Sequence, residues 1–118
     1  MKGGVCMCTE NTLKKILDCV AESSREIFGD KLHSAILFGS YARGDFNDES
    51  DIDILLVANL PAEKIASYRG KIDELCGFLL FEYGIVVSIT EKDAYTFNRY
   101  ADILPFYRNI CKEGVKIA

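Results

Sequence analysis

Two aspartates, Asp51 and Asp53, flank Ile52 at the start of an apolar run. On a strand, side chains two residues apart point to one face, separated by about 7 Å along the chain. Carboxylates placed side by side at the mouth of a strand repel. A hard cation between them removes that cost, and Mg²⁺ typically takes one or two carboxylates, filling its shell with water and phosphate oxygens. The plainer alternative puts both aspartates on a solvated face. Against it, Ile52, Ile54, Leu55, Leu56 and Val57 make this strand look buried beyond its first turn, and an unpaired carboxylate among apolar neighbours is costly.

A dozen residues upstream stands Gly39-Ser40-Tyr41-Ala42-Arg43-Gly44, at the end of the apolar run Ala35-Ile36-Leu37-Phe38. Gly39 permits a sharp turn and a close approach to the backbone. The next N–H groups and the Ser40 hydroxyl are then free to face an anion. A helical turn over Ser40 to Arg43 would add positive potential, and Arg43 a charge-assisted contact. Alone, Gly-Ser after a strand is more often just a turn. Joined to the aspartate pair on the next strand, it makes a phosphate cradle beside a metal site. That is the equipment for nucleotidyl transfer: phosphate polarised, pyrophosphate held, and an attacking hydroxyl oriented or deprotonated by a carboxylate.

The elements that position these groups follow from periodicity. Leu13, Ile16, Leu17, Val20, Ile27 and Phe28 keep helical steps, predicting a helix over about 10–28, capped by Thr9 or Asn11 and stopped by Gly29. Residues 31–38 read as a buried strand, 45–50 as loop and 52–57 as a second strand. Pro61 opens a helix that carries Ile65, Tyr68, Ile72, Leu75, Leu79 and Tyr83 and ends at Gly84. The β-branched run 85–90 predicts a third strand. A short helix is expected to begin near 91–94 and a final one to cover about 104–112, with Gly114 as its stop. Residues 115–117 suit a small edge strand. The fold class is therefore α+β, a small mixed sheet with helices able to cover one face. Residues 1–8 are expected to be a disordered tail and 9–118 one domain.

Composition sets limits. The chain has 118 residues, 49% of them hydrophobic and 27% charged, an ordinary balance for one core. Its 14 Lys plus Arg against 18 Asp plus Glu give a net charge of −4, which argues against coating nucleic acid or an anionic membrane. The cysteines Cys6, Cys8, Cys19, Cys76 and Cys111 are odd in number, and the last three lie in apolar sequence. A reducing cytoplasm suits them better than a disulfide framework. Cys6-x-Cys8 is half a metal site at most, and His33 is the sole histidine, so zinc and triad chemistry both lack parts. No run approaches the roughly 18–20 apolar residues of a membrane span, and no signal-peptide h-region is evident.

Gly39 to Gly44 followed by Ser50-Asp51-Ile52-Asp53-Ile54-Leu55 resembles the signature of the polymerase-β-type nucleotidyltransferase superfamily, in both halves and their spacing. The chain's size and element order resemble the minimal nucleotidyltransferases of bacteria and archaea, and 105–114 is similar to their C-terminal stretch. The resemblance implies a nucleotidyltransferase fold, an NTP donor (ATP expected) and two divalent ions, Mg²⁺ being expected. Gly39, Ser40 and Arg43 would bind nucleotide, while Asp51 and Asp53 would be catalytic and metal-binding. It also implies a helical HEPN-type protein partner, which antitoxins of this kind adenylylate on a hydroxyl. The alternative is a weak or inactive relative that neutralises its partner by contact.

That alternative has a motive. The superfamily carries a third carboxylate on the next strand, and here that position falls at or near Ser88. Glu91 lies three residues on, where a regular strand would turn it to the other face, and Glu82 lies in the preceding helix. Of the remaining residues, Tyr41 could flank a nucleotide or simply pack. Lys64, Arg69 and Lys71 suit a solvated helix face. Arg99 and Arg108 could serve a partner surface. Phe97, Tyr100, Phe106 and Tyr107 suit core or interface packing.

Overall fold

In a computed structural model, residues 9–118 are described; the expected tail, with Cys6 and Cys8, lies outside them. Helix α1 spans Glu10–Phe28 and is capped by Thr9, whose hydroxyl accepts from the Thr12 N–H at 3.1 Å. A 3-10 turn, Gly29–Lys31, leads into strand β1, Leu32–Phe38. A one-turn helix, α2 (Ser40–Arg43), follows, then strand β2, Ile52–Ala58. Helices α3 (Ala62–Ala66) and α4 (Arg69–Tyr83) precede strand β3, Val87–Asp93. Helix α5 (Ala94–Tyr100), helix α6 (Pro105–Glu113) and the short strand β4 (Val115–Lys116) complete the order.

The sheet runs β3-β2-β1-β4. Strand β1 is antiparallel to β2 and to β4, while β2 and β3 are parallel, so the sheet is mixed, as expected. Helices cover both faces, which corrects the one-face expectation. Ile52, Ile54, Leu56 and Ala58 of β2 pack with Ile16 and Val20 of α1 and Ile72 and Leu79 of α4. The alternate residues Leu55 and Val57 pack with Ala94 and Phe97 of α5 and Tyr107 and Ile110 of α6. Both sets on β2 are fully buried, so the strand reads as a continuous apolar run instead of an alternation.

Two boundaries differ from the periodicity reading. The long helix after Pro61 is broken at Ser67 and Tyr68. The Ser67 hydroxyl donates to the Lys64 carbonyl at 2.5 Å, and the Tyr68 ring meets Phe28 edge-on at 5.1 Å. Strand β3 begins later than expected and runs through Glu91, Lys92 and Asp93, because these pair with Leu56, Val57 and Ala58 of β2. The described cysteines, Cys19, Cys76 and Cys111, are free thiols, and Cys111 is exposed despite its apolar sequence neighbours. Among the described residues no helix is long and apolar enough to cross a membrane.

Candidate active site

Asp53 is the one polar residue of β2 and stands on the α5–α6 side of the sheet, in line with Leu55 and Val57. The register seats it between Phe38 of β1 and Ser88 of β3. It is half-buried, whereas Asp51, just before the strand, is exposed. Burial pushes the Asp53 carboxyl above its ordinary value, the charge of Asp51 adds to this, and Arg43 opposes it. The charge of Asp51 therefore reaches Asp53, and Arg43 does not offset that charge and burial together.

Gly39 holds the other half of the site against this pair. Its backbone has φ +77° and ψ −157°, a region essentially restricted to glycine. A Cβ added there would lie 2.5 Å from Asp53 Oδ2. The turn after β1 is thus pressed onto the carboxylate at the mouth of β2. The expected helical turn over Ser40 to Arg43 forms, and Gly39 precedes it without a side-chain cap. Among the described residues the Ser40 hydroxyl has no hydrogen-bond partner, so it remains available to an anion.

Arg43, at the far end of this turn, is held by acids on two sides. Its Nε donates to Asp45 Oδ2 at 3.2 Å, and its Nη1 lies 3.9 Å from Glu113 Oε1 of α6. Tyr41 is buried and stacks on Phe46 at 4.2 Å between ring centres. Of its two readings, packing holds: the ring pins the loop between the two halves of the site.

Ser88 stands directly across from Asp53, the position the resemblance reserves for a third acid. Glu91 is level with Leu56, three residues away, and is engaged elsewhere: Arg69 Nη1 donates both to it and to the Ile89 carbonyl. Arg69, expected on a solvated face, is a latch between α4 and β3. No group of three His, Cys, Asp or Glu able to hold a metal occurs among the described residues. Two adjacent carboxylates with unbalanced charge still fit Mg²⁺, which needs only one or two from the protein when phosphate supplies the rest.

Periodicity missed a neighbouring feature. A cavity of 240 Å³ lies between the end of β1 and α6, lined by Phe38, Gly39, Arg43, Phe106, Asn109, Ile110 and Glu113. Its walls come from residues 70 apart in sequence, so local patterns carry no sign of it.

Comparison with known proteins agrees with this geometry. Residues 13–117 match the family described as nucleotidyltransferase domain. A candidate protein adenylyltransferase of Methanocaldococcus jannaschii is 33% identical over 105 residues, covering 89% of this chain and 93% of its own length. A second candidate protein adenylyltransferase of that organism is 42% identical over 80 residues, or 67% of this chain and 54% of the relative. Among solved structures, the toxin–antitoxin complex MntA–HpeT aligns with TM-score 0.54 and 19% identity, over 86% of this chain and 72% of that one.

Proposed function

The chain belongs to the nucleotidyltransferase domain family, and from that premise we propose that it transfers NMP from Mg²⁺-bound NTP, ATP foremost, to a hydroxyl on a HEPN-type helical protein partner. The observation that carries this reading is the contact of Gly39 with Asp53, which joins a phosphate-binding turn to a carboxylate pair. Asp51 and Asp53 would hold the divalent ions, which when bound would supply charge neutralisation at the phosphates. Gly39 lets phosphate oxygens approach the backbone, and the Ser40 N–H and hydroxyl donate to them. Arg43 adds a cationic contact at the outgoing end.

The reaction joins the acceptor oxygen to the α-phosphorus and breaks the bond to the bridging oxygen, so pyrophosphate leaves. One carboxylate of the pair orients the hydroxyl or takes its proton. A protein acceptor is supported by the names of the M. jannaschii relatives. A toxin–antitoxin setting is supported by the MntA–HpeT neighbour. The free thiols of Cys19, Cys76 and Cys111 support a cytoplasmic location.

The test is calorimetric titration of Mg-ATP into wild type and Asp53→Asn, followed by transfer to the partner. Metal-dependent binding and transfer that Asp53→Asn loses while folded support the assignment; transfer retained by a folded Asp53→Asn overturns it. Ser88 beside Asp53 favours one second reading, neutralisation by contact alone. Full suppression of the partner's toxicity by an Asp51→Asn, Asp53→Asn double variant would establish contact as sufficient.

A further inference from the structure

We propose that the cavity between β1 and α6 seats the base of the nucleotide and that Asn109 selects adenine there. The inference rests on the nucleotide reading above and adds where the base goes and what reads it. Gly39 is shared: it presses on Asp53 and also lines the cavity. Phe38, another wall, is the cross-strand partner of Asp53. A nucleotide with its phosphates on Ser40 and the aspartates therefore has this cavity adjoining its site.

The lining suits a flat, uncharged ring system. Phe38 and Phe106 meet edge-on with centroids 5.7 Å apart, and Ile110 is buried behind them. Phe106 is 46% exposed, which leaves ring surface for a base to cover. Aromatic side chains stack on any base, so the ring supplies affinity without choice. Glu113 at the rim, 3.9 Å from Arg43, places a negative charge beside the cavity, which disfavours a second phosphate there and suits a neutral group.

Asn109 supplies the choice. It lines the cavity at its solvent-exposed side, so its amide is open to a ligand. An amide offers one carbonyl and one NH₂, the complement of the N6 amino group and the N7 acceptor on adenine's major-groove edge. On that edge guanine offers two acceptors, O6 and N7, so in either orientation the Asn109 carbonyl would face an acceptor.

Calorimetry with Mg-ATP, Mg-GTP and Mg-tripolyphosphate separates base from phosphates. Wild type is expected to bind ATP more tightly than GTP. Phe106→Ala should weaken Mg-ATP by about ten-fold or more and leave Mg-tripolyphosphate unchanged. Phe106→Leu, which keeps an apolar contact with Phe38, should show the same split, and Asn109→Leu should bring ATP down to the level of GTP. Unchanged ATP binding in the Phe106 variants, or equal loss of ATP and tripolyphosphate, overturns the base site alone. A wild type that binds tripolyphosphate and ATP without preferring ATP to GTP overturns the role of Asn109. A wild type that binds none of the three ligands overturns the nucleotide reading and the base site with it.

Discussion

Gly39 and Asp53 touch across the first two strands: a methyl group at position 39 would come within 2.5 Å of Asp53 Oδ2. The glycine is therefore needed twice, for its backbone conformation and for its missing side chain. Substitution of Gly39 by Ala should cost about 1–3 kcal/mol of stability from the backbone alone. It should also displace the Asp53 carboxylate and with it Mg-nucleotide binding. Urea denaturation paired with calorimetry reads both. A fully stable Gly39→Ala protein with wild-type affinity would show that the turn does not press on the carboxylate.

Asp53 should cost stability when ionised. Burial, then the charge of Asp51, raises its folded-state pKa above the unfolded 3.8, with Arg43 working the other way. Between 3.8 and that raised value the folded chain binds more protons than the unfolded one. The contribution of Asp53 to stability therefore falls as pH rises through this window and is flat above it. Asp53→Asn removes the fall, so at neutral pH without metal the variant should be at least as stable as wild type. Millimolar Mg²⁺ with nucleotide should raise the melting temperature of wild type only. Thermal melts from pH 3 to 8, with and without Mg-ATP, check both expectations.

The site was legible in sequence where its signals are local. Gly39-Ser40 ends an apolar run and Asp51-x-Asp53 opens another, so spacing alone placed both on neighbouring strands. The spacing of α1 and its Thr9 cap were equally readable, because a helix forms from contacts within one turn. What escaped depends on distant partners. Glu91-Lys92-Asp93 has the composition of a loop, yet pairing with Leu56 to Ala58 makes it strand. The break at Tyr68 follows from Phe28, 40 residues earlier. The second helical face escaped too, because the residues that cover Leu55 and Val57 lie on α5 and α6, far along the chain.

Asp93 should show the opposite pH behaviour to Asp53. It caps α5, and its carboxylate accepts from the Thr96 N–H at 2.9 Å. Burial acts to raise its pKa, but hydrogen bonds to the Thr96 N–H and hydroxyl and to its own N–H, with Lys92 nearby, lower it below 3.8 overall. Its contribution is therefore complete above pH 3.8 and fades as pH falls through the lower folded-state value. Asp93→Ala should cost about 1 kcal/mol at pH 7, shrinking on acidification. Parallel urea melts at pH 7 and pH 3 test this, and an equal cost at both pH values would sink the cap assignment.

Arg69 and Glu91 offer a test of which acids belong to the site. Arg69 Nε also pairs with Asp73 at 3.0 Å, and its Nη1 donates to the Ile89 carbonyl at 2.9 Å, on a strand with no neighbour beyond it in the sheet. The Glu91 side chain is only 10% exposed, so loss of its cation leaves a poorly solvated charge. Arg69→Ala should cost about 1–2 kcal/mol, a moderate value because the arginine itself is partly exposed. Removing both charges in Arg69→Ala, Glu91→Ala should cost less than the sum of the two single changes. Glu91→Gln should leave Mg-ATP affinity within about two-fold of wild type, since the isosteric change keeps the packing and lies away from the site. If Glu91→Gln abolished Mg-ATP binding instead, Glu91 would be the third carboxylate reaching in from a displaced strand, and the pairing of Ser88 with Asp53 would not describe the nucleotide-bound protein.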